Sequence, residues 1–282
     1  MAILTPPCVL SIAGTDPSGG AGIQADIKAV SATGSYAASV ITALVAQNTQ
    51  RVDAIFDISA EFLAQQLDAV FSDLEIKAIK IGMLHNKSVI DVVCKYLKTY
   101  SGFIVIDPVM IAKNGSPLLQ ADMVDYLKLI LLPYATVITP NIPEAEKLLN
   151  ISIHSHGEME SAAKTLNEKF NINVLLKGGH LNTEQSSDVL YSNQGKKFTW
   201  FHAPKINTKN THGTGCTLSS AIASYLAQDF TLPEAVQLAK NYLTHALHSG
   251  SQFKIGKGFG PVDHFYYLRE KNHHVPGSIA NG

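Results

Sequence analysis

Short apolar runs alternate with longer segments of helical periodicity along almost the whole chain, and few architectures accommodate that rhythm. The runs VLSIAG, SVITALVA, AIKIG, FIVIDPV, TVITPN and NVLLKGG are apolar nearly throughout. Strands of a parallel sheet covered by helices on both faces have this composition, because both of their faces are buried. The intervening periodicity predicts helices over 23–33, 61–71, 88–99, 123–132, 158–170, 214–227 and 233–248. Thr231-Leu232-Pro233-Glu234 is a capping box with proline at the first helical position, and Gly250 suits the far end. The stretch SDVLYSNQGKKFTWFHA reads as two strands around a polar turn, an antiparallel addition to the sheet. The expectation is a doubly wound α/β fold with a mostly parallel sheet and helices on both faces. A single domain would cover 1–265, followed by a polar tail over 266–282 that is expected to be mobile.

Composition narrows the function. Apolar residues make up 46% and charged residues 16%, which suits an extensive core. The 22 Lys+Arg and 23 Asp+Glu leave no field of one sign, so neither nucleic acid nor a membrane surface is an expected partner. Any anionic ligand needs a local site. The opening MAILTPPCVLSIAG lacks a basic leader and carries two prolines, and no run approaches a membrane span, so a cytoplasmic enzyme is the expectation. Three widely spaced cysteines fit neither a disulfide framework nor a zinc knuckle, and the eleven histidines include no HExxH.

In an open parallel sheet, ligands bind beyond the carboxyl ends of the strands. Those ends are polar and glycine-rich here: Gly14 to Gly22, Gln47-Asn48-Thr49, Gly82-Met83, Asp107-Pro108, Pro140-Asn141 and Lys177-Gly178-Gly179-His180. Singly, each is an ordinary strand-to-helix turn. Neither GxGxxG nor GxxxxGK[ST] occurs. Thr211-His212-Gly213-Thr214-Gly215-Cys216-Thr217 does suit an anion, since two glycines let the backbone turn tightly before a helix whose N–H groups point at the guest. The same helix start is expected to depress the pKa of Cys216 and favour its thiolate.

The segments TDPSGGAGIQADIKA, SVITALVAQNTQ, KIGML, DPVM, ITPNIPEAE, LLKGGH and NTKNTHGTGCTLSSAIA, in that order over roughly 9–265, resemble bacterial hydroxymethylpyrimidine/phosphomethylpyrimidine kinases of thiamine biosynthesis, which have the ribokinase-like fold. The resemblance implies ATP and Mg²⁺ as cofactors, a small pyrimidine as substrate, two successive phosphoryl transfers, and a homodimer. It implies that Gly14, Asp26, Gln47, Met83 and Val109 bind the pyrimidine. It implies that Asn141, Lys177, Thr208, Thr211, Gly213 and Gly215 bind ATP, and that Glu144 and Asp107 organise the metal. Cys216 would take the hydroxyl proton, with Lys177, Gly213 and Gly215 completing the catalytic set. Bland readings stand beside these: Asp26 as a solvated helix face, Gln47 as a turn residue, Met83 as core, Asp107 as a loop brace. Two features depart from the family pattern, Asp263 where His or Asn is expected and the tail from Tyr266. A pyridoxal kinase of the same fold is the nearest rival, and a non-catalytic pyrimidine sensor a distant one.

Overall fold

The structure, a computed structural model, describes residues 5–110, 123–181 and 183–272. In chain order the elements are β1 (Cys8–Ala13), α1 (Gly22–Ala32), β2 (Tyr36–Ile41), β3 (Ala43–Gln47), β4 (Val52–Asp57), α2 (Ala60–Phe71), β5 (Ile76–Ile81), α3 (Lys87–Leu97) and β6 (Phe103–Ile106). They continue with α4 (Met123–Tyr126), β7 (Val137–Ile138), α5 (Ile142–Leu149), α6 (His156–Phe170), β8 (Asn173–Lys177), β9 (Gln185–Ser192), β10 (Lys197–Pro204), α7 (Thr214–Ala227), α8 (Leu232–Gly250) and α9 (Tyr266–Asn272). The main sheet runs β10-β9-β8-β7-β6-β5-β1-β2. It is parallel from β2 to β8 and antiparallel through β9 and β10, as expected from the polar turn.

Both faces are buried, which is why the strands show no polar alternation. Leu10, Ile79, Ile106, Ile138 and Leu176 point into one core with α2, α3, α5 and α6. Their neighbours Val9, Ala78, Val105, Val137 and Leu175 point into another with α1, α7 and α8. α7 is buried on almost every side, and its serines are satisfied internally: Ser220 donates to Asp26 and Ser224 to Ser35.

Two expectations need correction, and two helices were not foreseen. SVITALVA is not one strand: the chain bends at Thr42, whose N–H donates to Ala13 O and whose hydroxyl donates to Met83 O. β3 then leaves the main sheet and pairs antiparallel with β4 as a separate ribbon. The helix expected over 123–132 is regular only through α4, then widens into a π-helical turn at Leu127–Leu131 and a 3₁₀ turn at Leu132–Tyr134, where Pro133 can donate no hydrogen bond. α5 was hidden in sequence by its short length. The polar tail begins as α9, tied down by Arg269, whose Nε donates to Asp263 (2.8 Å) while its guanidinium lies over Phe253. Residues 273–282 of that tail lie outside the described residues.

Candidate active site

The carboxyl ends of β1, β5, β6, β7 and β8 open into a cavity of about 580 Å³, closed on one side by the start of α7. Gly14, Gln47, Met83 and Val109 line it. The Gln47 amide donates to Thr15 O (3.3 Å), and Met83 packs with Ala43 and Val45 of the ribbon. Gly14 lies close under Met83: an added Cβ would stand 3.0 Å from the Met83 methyl carbon, so that flexible side chain would have to shift slightly. Asp107, Asn141, Glu144, Lys177, Thr211, Gly213, Gly215 and Cys216 also line the cavity.

Two Lys–Asp pairs organise the electrostatics. Lys177 Nζ donates to Asp107 Oδ1 (2.9 Å), which also accepts from Thr139 Oγ1 (3.2 Å). Burial opposes the Lys177 charge, but Asp107 and then Glu144 outweigh it and raise its pKa. The start of α7 closes over this pair: a Cβ at Gly215 would lie 3.1 Å from Asp107 Oδ2 and 3.3 Å from Lys177 Nζ. Gly213 has φ +77° and no side chain caps the helix. The second pair, Lys80 with Asp26, has no exposed side-chain surface. Both Asp26 oxygens accept from Lys80 at 2.8 Å, and Ser11 and Ser220 donate to them at 2.6 and 2.8 Å. Burial opposes the Lys80 charge too, and Asp26 outweighs it.

Asn141 and Glu144 form a capping box for α5: Glu144 N–H donates to Asn141 Oδ1 (2.9 Å) and Asn141 N–H to Glu144 Oε2 (2.8 Å). Burial pushes the Glu144 carboxyl up to about 7, with the Asp107 charge adding to the rise and Lys177 opposing it. A buried carboxylate beside a second one, both facing the cavity, is an oxygen environment that a hard divalent cation would relieve.

A family model described as phosphomethylpyrimidine kinase matches residues 16–263. The chain belongs to this family. It is a phosphotransferase. This kinase is 48% identical over 259 residues to the hydroxymethylpyrimidine/phosphomethylpyrimidine kinase of Escherichia coli, covering 91% of the chain and 97% of that relative. Among solved structures, Clostridium difficile phosphomethylpyrimidine kinase matches with a TM-score of 0.75 and 43% identity, over 85% of this chain and 98% of that one. Bacillus subtilis pyridoxal kinase in an ADP complex matches with a TM-score of 0.86 and 33% identity, over 94% and 99% of the two chains. The ribokinase-like fold holds.

Within this kinase, three sequence expectations change. Asp26 does not line the cavity; its carboxylate is saturated beneath the floor by Lys80 and two serines, and neither member of the pair has exposed side-chain surface. Thr208 also lies off the cavity, and its hydroxyl accepts from Asn210 N–H (3.0 Å) within the preceding loop. The Cys216 thiol is not depressed. Loss of water around it is the largest influence and pushes it up to about 11, against the pull of Lys80 and a Gly22 hydrogen bond, with Asp26 and Asp107 adding to the rise. Helix N-terminal partial charge is the weaker effect once two carboxylates lie nearby.

Sequence reading also missed groups with distant partners. Lys80 was visible as a lone charge inside IKAIKI, a strand buried on both faces. Asp188, on β9, receives Lys240 Nζ (2.6 Å) and Gly178 N–H (3.0 Å), so a third buried Lys–Asp pair anchors the turn after Lys177. Nothing local marked it. Among the described residues, no group of three or more His, Cys, Asp or Glu could hold a metal, and no helix is long and apolar enough to cross a membrane.

Proposed function

We propose that this kinase phosphorylates the hydroxymethyl oxygen of 4-amino-5-hydroxymethyl-2-methylpyrimidine from ATP, and then the phosphate of the monophosphate, giving the diphosphate used for thiamine. The supporting observation is the meeting, in one cavity, of an amide and a thioether at Gln47 and Met83 with anion-binding groups at Lys177, Gly213, Gly215 and Cys216. Gln47 can offer both a donor and an acceptor to an aminopyrimidine edge. Lys177 and the N–H groups at the start of α7 stabilise charge on the transferring group, which is the main catalytic requirement of a loose phosphoryl transfer. Asp107 and Glu144 would hold Mg²⁺ together with phosphate oxygens, and the ion would neutralise phosphate charge.

In the first transfer the hydroxymethyl oxygen bonds to phosphorus, the bond from phosphorus to the ADP oxygen breaks, and the hydroxyl proton passes to the Cys216 thiolate. That thiolate is the minor form near neutral pH, because burial holds the thiol near 11. The second nucleophile is already anionic and needs no base.

A second reading, pyridoxal kinase, is favoured by one observation: the higher TM-score to the Bacillus subtilis enzyme. Incubation with Mg-ATP and either alcohol, resolving mono- and diphosphate products, separates the two. We expect both pyrimidine products, with pyridoxal turned over more slowly. Faster pyridoxal turnover without any pyrimidine diphosphate would favour the second reading.

We further place the kinase in the cytoplasm, where ATP is available, and as a homodimer. The outer face of the ribbon is apolar and open: Leu44 (44% exposed) pairs with Phe56 (68%), and Ala46 with Ala54. Exposed aromatic and aliphatic surface of this kind suits a second copy. A light-scattering mass of one chain would remove the dimer.

A further inference from the structure

Three loops that are far apart in sequence meet at one buried imidazole. Asp16, in the loop after β1, is fully buried, and its carboxylate accepts from Ser18 N–H (2.9 Å), Ser18 Oγ (2.7 Å), Gly20 N–H (3.1 Å) and Ala21 N–H (2.7 Å). Its remaining partner is His212 Nε2 at 2.8 Å. A carboxylate can only accept here, so His212 carries a proton on Nε2. The next residue, Gly213, lies so close to the same loop that an added Cβ would stand 1.7 Å from Gly20 O.

His212 is held from a third side as well. Its backbone N–H donates to Gly260 O (3.0 Å), and it bridges to Pro261. The segment just before is bound to the turn of the ribbon: Lys257 and Gly258 N–H donate to Thr49 Oγ1 (3.2 and 3.1 Å), and Phe259 N–H donates to Thr49 O (2.9 Å). Thr49 follows Gln47 by two residues. Glycine permits this contact, since a Cβ at Gly258 would lie 2.0 Å from Thr49 O.

The start of α7 has no side-chain cap and begins at a residue in the left-handed region; Thr214 N–H and Oγ1 bond back only to Thr211 O, and Gly22 bonds the Cys216 sulfur. The hydrogen bonds of His212 tie the loop before this helix to two further segments. We infer that His212 is a positioning residue for both phosphoryl transfers: bound to Asp16 and Gly260, it sets the anion loop against the loop after β1 and, through 256–260, against the ribbon that carries Gln47. The inference rests on the kinase reading. Misplacement by about 1 Å can cost ~10²-fold in rate, so a loosened loop acts on turnover while the fold survives. Asp16 keeps its four other partners when the imidazole is lost.

The test uses the full chain carrying His212→Leu and, separately, His212→Gln, in single-turnover assays started from the alcohol and from the monophosphate. For His212→Leu we expect both transfers to fall about 10- to 100-fold and by similar factors, with the pyrimidine KM changed less than about threefold. His212→Gln keeps an N–H donor and should recover most of the loss. If His212→Leu melts lower but turns over normally at low temperature, His212 is only structural. Loss confined to the first transfer would make it part of proton removal, and no rescue by Gln would mean the donor to Asp16 is irrelevant; either overturns the inference. Absence of turnover by the unaltered chain would sink the kinase reading itself.

Discussion

The two Lys–Asp pairs that flank Cys216 have the same chemistry and opposite situations. Lys80 and Asp26 expose no side-chain surface, and two serine hydroxyls complete the carboxylate. Lys177 and Asp107 are also mostly buried, but Lys177 keeps 14% of its side-chain surface and opens on the cavity, where glycines at the start of α7 let the helix approach. A saturated pair can hold elements together and set a field. A pair with an open side can also receive a charged guest. The difference lies in what surrounds each pair, since breaking a fully desolvated pair strands a charge that no water can reach.

The comparison breaks most readily in stability. Lys80→Met should cost about 3–5 kcal/mol in denaturant unfolding, because Asp26 would be left charged and buried. Loss below about 1 kcal/mol would show that water reaches Asp26, and the contrast between the pairs would collapse. Lys177→Met should do the reverse, leaving the unfolding midpoint closer to that of the unaltered chain while reducing kcat about 10²–10³-fold, the effect of losing one donor to transition-state charge. A stability loss matching that of Lys80→Met, with turnover retained, would make the second pair structural too.

The smallest expected effect sharpens the comparison at the residue between the pairs. Cys216→Ala should slow the first transfer about 10²-fold at pH 7, the low end of general-base assistance, and the second transfer much less. The pH dependence follows from the direction of the shift. A thiol raised to about 11 is protonated at neutral pH, so its thiolate fraction, and with it the first transfer, should climb about tenfold per pH unit towards that value. The second transfer should not show that climb. A first transfer that is flat with pH, measured by product formation from each starting compound, would remove Cys216 as the proton acceptor.

Asp263 shows how a departure from the family pattern is accommodated. It is buried, accepts from Ser249 Oγ (2.9 Å) and Arg269 Nε (2.8 Å), and thereby fastens α9 to the end of α8. The aspartate and the helical tail, which looked like two separate oddities in sequence, are one feature.

Much of this molecule was legible without coordinates because its governing signals are local. Apolar runs long enough to be buried on both sides dictated a parallel sheet, and the geometry of such a sheet placed the site at the strand ends before any residue was assigned a role. The glycines of the anion loop could be read for the same reason, since tight turns are a backbone property. The split of SVITALVA was invisible because Ala43 to Ala46 are all apolar, so the alternation that marks a one-sided ribbon could not appear. Charge states and partners were decided only by tertiary structure. Asp26 sits in the quoted motif as a polar helix residue, and only the arrival of Lys80, 54 positions later, and Ser220, 194 positions later, turns it from a substrate contact into a buried anchor. Cys216 likewise stands at a helix start, which by itself favours a thiolate. Desolvation and two carboxylates from distant strands and helices reverse that preference, because electrostatic energy depends on distance and dielectric in space, and neither is written in the order of residues along a chain.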